Sequence, residues 1–224
     1  MSQSIGAPRL LYRDHDLLLV CKPAGMPAQP DPSGQESLLA YLSAQGEVKV
    51  VHRLDTPTGG LMVFARTAPA AAGLSRLIQD HEVFIKEYLC ILPTPPKESE
   101  GELSDLLYHD ARSNRTYTVR PPADGSPPRK GVKAARLAYH TLQVAPDGTA
   151  LVRVRLYTGR THQIRAQFAA RGLPLLGDGK YGSRVKLPTL ALWSYRMEFP
   201  HPITGETVRG ECPPEGDAWE RFKP

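Results

Sequence analysis

The sequence predicts an α+β fold: a mixed, mainly antiparallel sheet with flanking helices. Three observations point there. Short apolar runs with strand character recur in hairpin order, only a few segments carry helical spacing, and no repeat or low-complexity linker divides the 224 residues. We therefore read residues 1–224 as one domain, open to a bilobed arrangement around a central cleft.

Leu17 to Cys21 is a continuous apolar run, read as a buried strand and stopped by Lys22-Pro23-Ala24-Gly25. A Pro-rich polar loop follows, from Pro27 to Gly34. Ser37 to Gln45 has helical spacing at Leu38, Leu39 and Leu42 and ends at Gly46. Leu61 to Ala65 reads as a strand and Ala68 to Gln79 as a helix, with Ala71, Leu74, Leu77 and Ile78 on its apolar face. Val83 to Leu92 is a third strand, closed by Pro93. The stretch from Pro93 to Arg129 is the least regular, broken by proline and glycine into short extended pieces such as Tyr117-Thr118-Val119. Val132 to Val144 and Ala150 to Leu156 form a hairpin pair around Pro146-Asp147-Gly148. Thr161 to Arg171 is helical, with Gly172 as its C-cap. Leu190 to Phe199 and Glu206 to Arg209 are closing strands, and Glu215 to Phe222 a helical turn.

The net charge is modest, +5, but it is unevenly spread. Arg160 to Lys186 holds six basic residues and one acid, and His109 to Arg136 seven and two. Such local excess suits a phosphate-contact surface, since neutralising phosphates releases counterions. Two solvated faces would give the same pattern. Three cysteines, Cys21, Cys90 and Cys212, lie far apart next to apolar runs. We expect buried free thiols in a reducing compartment. The N-terminus shows no signal peptide, and the longest apolar run is far too short to span a bilayer, so a cytoplasmic protein without a membrane partner is expected.

Two motifs mislead. Gly177-Asp178-Gly179-Lys180-Tyr181-Gly182 fits G-x-G-x-x-G, but Pro188 follows where the helix should run, so we read a turn. The seven histidines show no metal-ligand spacing, and no metal is expected.

The informative strings are His52-Arg53-Leu54-Asp55, Lys86-Glu87-Tyr88 and Thr158-Gly159-Arg160-Thr161-His162-Gln163-Ile164-Arg165. The first ends in a carboxylate before the tight turn Thr56-Pro57-Thr58-Gly59-Gly60. The second offers a phenol, and the third sets two guanidinium groups at the start of a helix. Singly, Asp55 is a turn residue, Tyr88 a sheet aromatic and Arg165 a surface residue. Together, in this order and spacing, they resemble the RluA-type pseudouridine synthase family. The resemblance runs from Leu19-Val20-Cys21-Lys22-Pro23-Ala24-Gly25 through Leu176-Gly177-Asp178 to His201-Pro202-Ile203-Thr204-Gly205. Gly59 departs from a usual Ser, Ala166-Gln167 from Val-His, and Leu192-Trp193-Ser194 from Leu-His-Ala.

The resemblance implies the pseudouridine synthase fold and the isomerisation of uridine to pseudouridine in RNA, without a cofactor. Asp55 then acts at the ribose, either attacking C1′ or removing a proton from C2′. Arg165 keeps that carboxylate charged, Tyr88 stacks on the uracil and helps remove the C5 proton, and Ile164 walls the base. Arg53 fills the space left by the extruded nucleotide. His52 and His162 either orient backbone or phosphate or are structural, and Arg160, Lys180 and Arg184 are candidate phosphate contacts. The first family string starts near Leu17, so we expect no N-terminal S4-type module. The catalytic domain alone, expected to be a monomer, would hold a compact stem-loop of rRNA or tRNA. Two rival readings remain: an RNA-binding or chaperone protein on the same fold, and a nucleosidase acting on free nucleosides.

Overall fold

A computed structural model describes residues 6–124 and 126–222. The strands are β1 (Arg9–Arg13), β2 (Leu17–Lys22), β3 (Lys49–Val50), β4 (Gly59–Ala65), β5 (Ile85–Leu92), β6 (Glu100–Asp110), β7 (Arg115–Val119), β8 (Val132–Val144), β9 (Ala150–Leu156), β10 (Leu192–Pro200) and β11 (Thr207–Glu211). The helices are α1 (Leu38–Ser43), α2 (Ala68–Leu77), α3 (Gln163–Ala169) and α4 (Asp217–Glu220). The chain forms two compact units, Met1–Tyr88 with Leu192–Gly216 and Leu89–Ala191 with Asp217–Pro224.

In the first unit, β2 lies between β1 and β4, antiparallel to both. Every residue of β2 and β4 is buried, which is what their unbroken apolar runs require. A parallel pairing joins β4 to β10, with Trp193 opposite Gly59 and Ser194 opposite Gly60. The fit is tight at both glycines. A Cβ on Gly59 would sit 2.2 Å from the Trp193 ring, and one on Gly60 2.2 Å from the Ser194 carbonyl. Ser37 caps α1 by accepting from the Ala40 amide, and Thr67 caps α2 by accepting from Ala70. Phe84 stacks on Phe199, with ring centroids 4.6 Å apart.

In the second unit β6 pairs with both β7 and β8, and β8 with β9, all antiparallel. One side is covered by α3. Phe168 meets the Tyr139 ring edge-on at 5.8 Å, and Gln167 donates to the Leu103 carbonyl at 3.1 Å and the Asp105 carboxylate at 2.7 Å. Arg171 reaches the same Asp105 at 2.9 Å.

Most expected elements are present within a few residues of their expected ends, and the sheet is mixed and mainly antiparallel. The largest addition is β6, an eleven-residue strand inside the stretch read as irregular. Gly101 and four acidic residues obscure its pattern, and its extended form comes from nine register pairs with β8. The β1 strand was also not anticipated; all five of its residues are exposed, so no alternation marks it. The G-x-G-x-x-G segment is a turn, with a short 3-10 stretch at Gly179–Tyr181.

The cysteine expectation is corrected. Cys21 and Cys212 are joined in a disulfide across 191 positions of sequence, and among the three only Cys90 is a buried free thiol. Cys21 ends the apolar run of β2, and Cys212 follows β11 and donates its amide to the Tyr195 carbonyl on β10 at 2.8 Å. Folding of this unit brings the two together, and linear spacing cannot show that. The argument for a reducing compartment from free thiols therefore falls away. Closing so long a loop restricts the unfolded chain by on the order of 5 kcal/mol in the chain-entropy description. We expect reduction, or Cys212→Ser, to lower the urea midpoint measurably, with two fewer thiols alkylated in the oxidised protein than in the reduced one.

Candidate active site

Asp55 sits in a turn closed by the Thr58 amide, which donates to the Asp55 carbonyl at 2.9 Å. The neighbouring Thr56 carbonyl is a junction. It accepts from the Gly25 amide at 2.9 Å and from the Lys22 ammonium at 3.2 Å. Lys22 is fully buried at the end of β2, and its Nζ also donates to the Pro23 carbonyl at 3.0 Å and the Met26 carbonyl at 2.6 Å. Burial pushes its pKa down to about 7, and the charge of Asp55 works against that fall. The carboxylate is thus within electrostatic reach of an ammonium in its own unit. Asp55 itself is half-buried and Leu54 before it is buried, while Arg53 projects into solvent.

Tyr88, on β5, is buried. Its pKa is pushed up to about 12, first by burial and then by the Asp55 charge, while the Ser194 hydroxyl on β10 opposes the rise. At neutral pH it is a neutral phenol, suited to stacking and hydrogen bonding. As a base it must first lose its own proton.

His52 retains some exposed surface, but its imidazole is enclosed, and Nε2 accepts from the Val63 amide of β4 at 3.0 Å. Burial, with help from the nearby charge of Lys86, pushes its pKa down to about 3. The ring is therefore neutral and holds backbone, one of the two roles the sequence left open. Lys86 is itself buried and pushed down to about 8.

The second unit presents the other string. His162 takes the left-handed conformation, φ 53°, just before α3. Its Nδ1 lies 3.0 Å from the Tyr181 hydroxyl, which also accepts from the Thr116 amide at 2.8 Å. Gln163 braces the preceding loop: its Oε1 accepts from the Thr158 hydroxyl at 2.7 Å and the Arg160 amide at 3.1 Å. Arg165 is buried on α3 and forms a two-pronged pair with Asp178, Nε to Oδ2 at 2.7 Å and Nη2 to Oδ1 at 2.9 Å. Its guanidinium lies 4.9 Å from the centre of the Tyr181 ring. Asp178 is the acid that the sequence places only in a turn.

Asp55, Tyr88, Arg53 and His52 thus belong to the first unit, and Arg160, Ile164, Arg165, Lys180 and Arg184 to the second. Ile164 is buried on α3. Arg160 and Arg184 are exposed, and so is Lys180. Arg160 Nε donates to the Ala134 carbonyl and Lys180 Nζ to the Asn114 carbonyl, both at 3.0 Å. Sequence reading missed Lys22, Ser194 and Asp178 as parts of this machinery. Lys22 carries a signal, a cation ending an apolar run inside a family string, but spacing alone assigns it no role beyond stopping the strand.

Two outcomes follow. For His52, the unfolded ring binds a proton below about 6.5 that the folded ring refuses down to about 3. Its contribution is present above about 6.5 and is lost as pH falls through that window. His52→Gln keeps an acceptor at the Nε2 position, so chemical denaturation between pH 7 and 4 should show a flatter loss of stability. Asp178→Asn removes the charge from the two-pronged pair with buried Arg165, and unfolding free energy should drop by about 3–5 kcal/mol.

Comparison with known proteins identifies the family. Residues 16–170 match the model of the RNA pseudouridylate synthase family. The chain is 32% identical over 213 residues to the uncharacterized RNA pseudouridine synthase YhcT of Bacillus subtilis, covering 91% of this chain and 68% of that protein. It is 33% identical over 235 residues to ribosomal large subunit pseudouridine synthase D of Vibrio cholerae, covering 94% and 68%. Among solved structures, human RNA pseudouridylate synthase domain containing 1 shares the fold, with a TM-score of 0.74 at 23% identity over 95% of this chain and 85% of the human chain. With its family strings on the Asp55 turn, on β5 and at the start of α3, the chain belongs to the RNA pseudouridylate synthases, in their RluA-type branch.

Proposed function

We propose that this protein converts uridine to pseudouridine in a structured stem-loop of ribosomal RNA or tRNA, with Asp55 acting at the ribose. The N1–C1′ bond breaks, the base turns, C5 bonds to C1′, the C5 proton leaves and N1 gains one. Atoms and electrons balance within the nucleotide, so the reaction calls for no redox group or nucleotide triphosphate. The observation that carries this reading is the Asp55 turn, clamped through Thr56 by Lys22, with its charge felt at Tyr88.

On this reading Tyr88 stacks on the extruded uracil, Arg165 supports the Asp55 charge and Ile164 walls the base. Arg53 enters the stack the base has left, and Arg160, Lys180 and Arg184 meet phosphates. His52 supports β4 rather than RNA. Relatives named for the large ribosomal subunit favour ribosomal RNA as substrate and the cytoplasm as location. No helix among the described residues is long and apolar enough to cross a membrane. The protein is taken to act as a monomer.

The test is turnover on transcribed ribosomal RNA and tRNA, with pseudouridine mapped by carbodiimide-dependent reverse-transcription stops. Asp55→Ala should abolish product while leaving RNA affinity within about threefold. Undiminished turnover would remove Asp55 from the mechanism, and released uracil would favour a nucleosidase.

A further inference from the structure

We infer that the first unit carries a ligand site of its own, a groove between β1 and α1 that takes a medium-length aliphatic monocarboxylate. Arg13 and Arg66 receive the carboxylate, and the apolar floor takes the chain. Every residue of the groove belongs to this one unit, and the inference does not depend on the role of Asp55.

Among the described residues β1 ends the sheet, paired with β2 alone. Its register has one irregularity: Leu10 pairs with Val20, yet Tyr12 pairs with Leu19 and Arg13 with Leu18. Leu11 is therefore an extra residue, a bulge. In a regular strand, residues three apart point to opposite faces. Here Leu10 and Arg13 share a face, because their partners Val20 and Leu18 do. That face lines the groove. Leu18 and Val20, with Leu42 from α1, are buried in its floor, and Tyr41 adds to its wall. The bulge thus aims a cation into a depression with an apolar floor. Packing of β1 does not call for this, since all five of its residues are exposed.

Arg66 joins Arg13 at the same end. It follows β4, its amide donates to the Asp16 carbonyl at 2.7 Å, and its guanidinium donates to the Asp14 carbonyl. Among the described residues no carboxylate pairs with Arg13 or Arg66. Glu47, the acid on the rim, is already paired with Lys49. Two guanidinium groups are therefore available to one anion, and a carboxylate suits their fork of donors. The floor decides what the anion is attached to. Buried leucine and valine offer a sugar-phosphate backbone nothing, whereas they shelter a hydrocarbon chain, which would also cover the half-exposed Leu10. Length follows from the strand: Leu10 lies three residues, roughly 10 Å, from Arg13, the reach of a chain of about eight carbons. A second copy of this chain fits poorly. An antiparallel β1–β1 pair centred on Leu11 would set Arg9 of each copy against Arg13 of the other.

The probe is octanoate, titrated into the full chain carrying ¹³C-methyl-labelled leucine and valine. The methyl signals of Leu10, Leu18, Val20 and Leu42 should shift in one saturable step with Kd below about 1 mM. Those of Leu137 and Val152, in the second unit, should stay in place. Octan-1-ol, octylamine and acetate each lack half of what the groove reads, and each should bind at least about tenfold more weakly. Arg13→Gln, at an exposed position, should remove the preference for octanoate over octanol. Absence of a saturable shift by about 10 mM octanoate would overturn the inference, as would equal binding of octanoate and octanol by the unaltered protein. Should Arg13→Gln weaken RNA binding more than about threefold while octanoate has no effect, the arginines would be phosphate contacts and the carboxylate site would be refuted. None of these readouts involves turnover, so a failure here and a failure of Asp55→Ala are separate results.

Discussion

The Lys22 ammonium inside its three-carbonyl cage is the interaction on which the candidate site depends. Loops are held in place by satisfying their backbone groups, and Pro23 has no amide to donate. One side chain supplies what the backbone cannot. It binds the loop after β2 to the turn after Asp55, and Gly25, at φ +88°, adopts the conformation that lets its amide share the Thr56 oxygen. The position of Asp55 is thereby tied to the end of a fully buried strand rather than to a mobile loop. A carboxylate that must meet one carbon of an extruded nucleotide gains from such an anchor.

The other side of the same turn is held by close packing. The parallel contact between β4 and β10 brings Gly59 against the Trp193 indole and Gly60 against the Ser194 backbone, with no room for a Cβ at either. Two departures from the family pattern, Gly59 for Ser and Trp193 for His, are therefore one packing solution: the larger ring occupies the space a side chain at 59 would take. The indole Nε1 then donates to the Cys212 carbonyl at 2.8 Å. Cys212 is bonded to Cys21, and Cys21 precedes Lys22. Covalent, apolar and electrostatic supports of the Asp55 turn thus converge on a few residues of β2, β4 and β10. Ser194, the third departure, places a hydroxyl beside Tyr88 where the usual alanine has none.

Much of this was legible from the chain because β2, β4, α2 and the β8–β9 hairpin carry their own local patterns: unbroken apolar runs, a helical stripe, a Pro-Asp-Gly turn. The site strings were legible through their order and spacing. What sequence did not show depends on partners distant in the chain. The β6 strand is extended because β8 lies beside it, and its own residues give little sign of that. The disulfide is set by two strands meeting across nearly the whole sequence. Asp178 reads as a turn residue until Arg165 is seen to close on both of its oxygens. Lys22 lies in a recognised string, yet its role depends on where three carbonyls point.

The electrostatics of the first unit also suggest an order of events for the proposed reaction. Tyr88 is held protonated by burial and, in addition, by the negative charge of Asp55. Proton removal from C5 by a phenol at about 12 is unfavourable while that charge persists. Once the carboxylate has acted, its charge is gone: attack at C1′ turns it into an ester, and proton abstraction from C2′ turns it into a neutral acid. On either route the contribution of Asp55 to the Tyr88 shift vanishes, and the phenol gives up its proton more readily. The ionised carboxylate thus restrains the later base until the first step is complete. On both routes the charge returns as C5 bonds to C1′: on the covalent route C5 displaces the ester carboxylate, and on the other the protonated acid returns its proton to C2′. The interval in which Asp55 does not oppose ionisation of Tyr88 thus coincides, on either route, with the turning of the detached base.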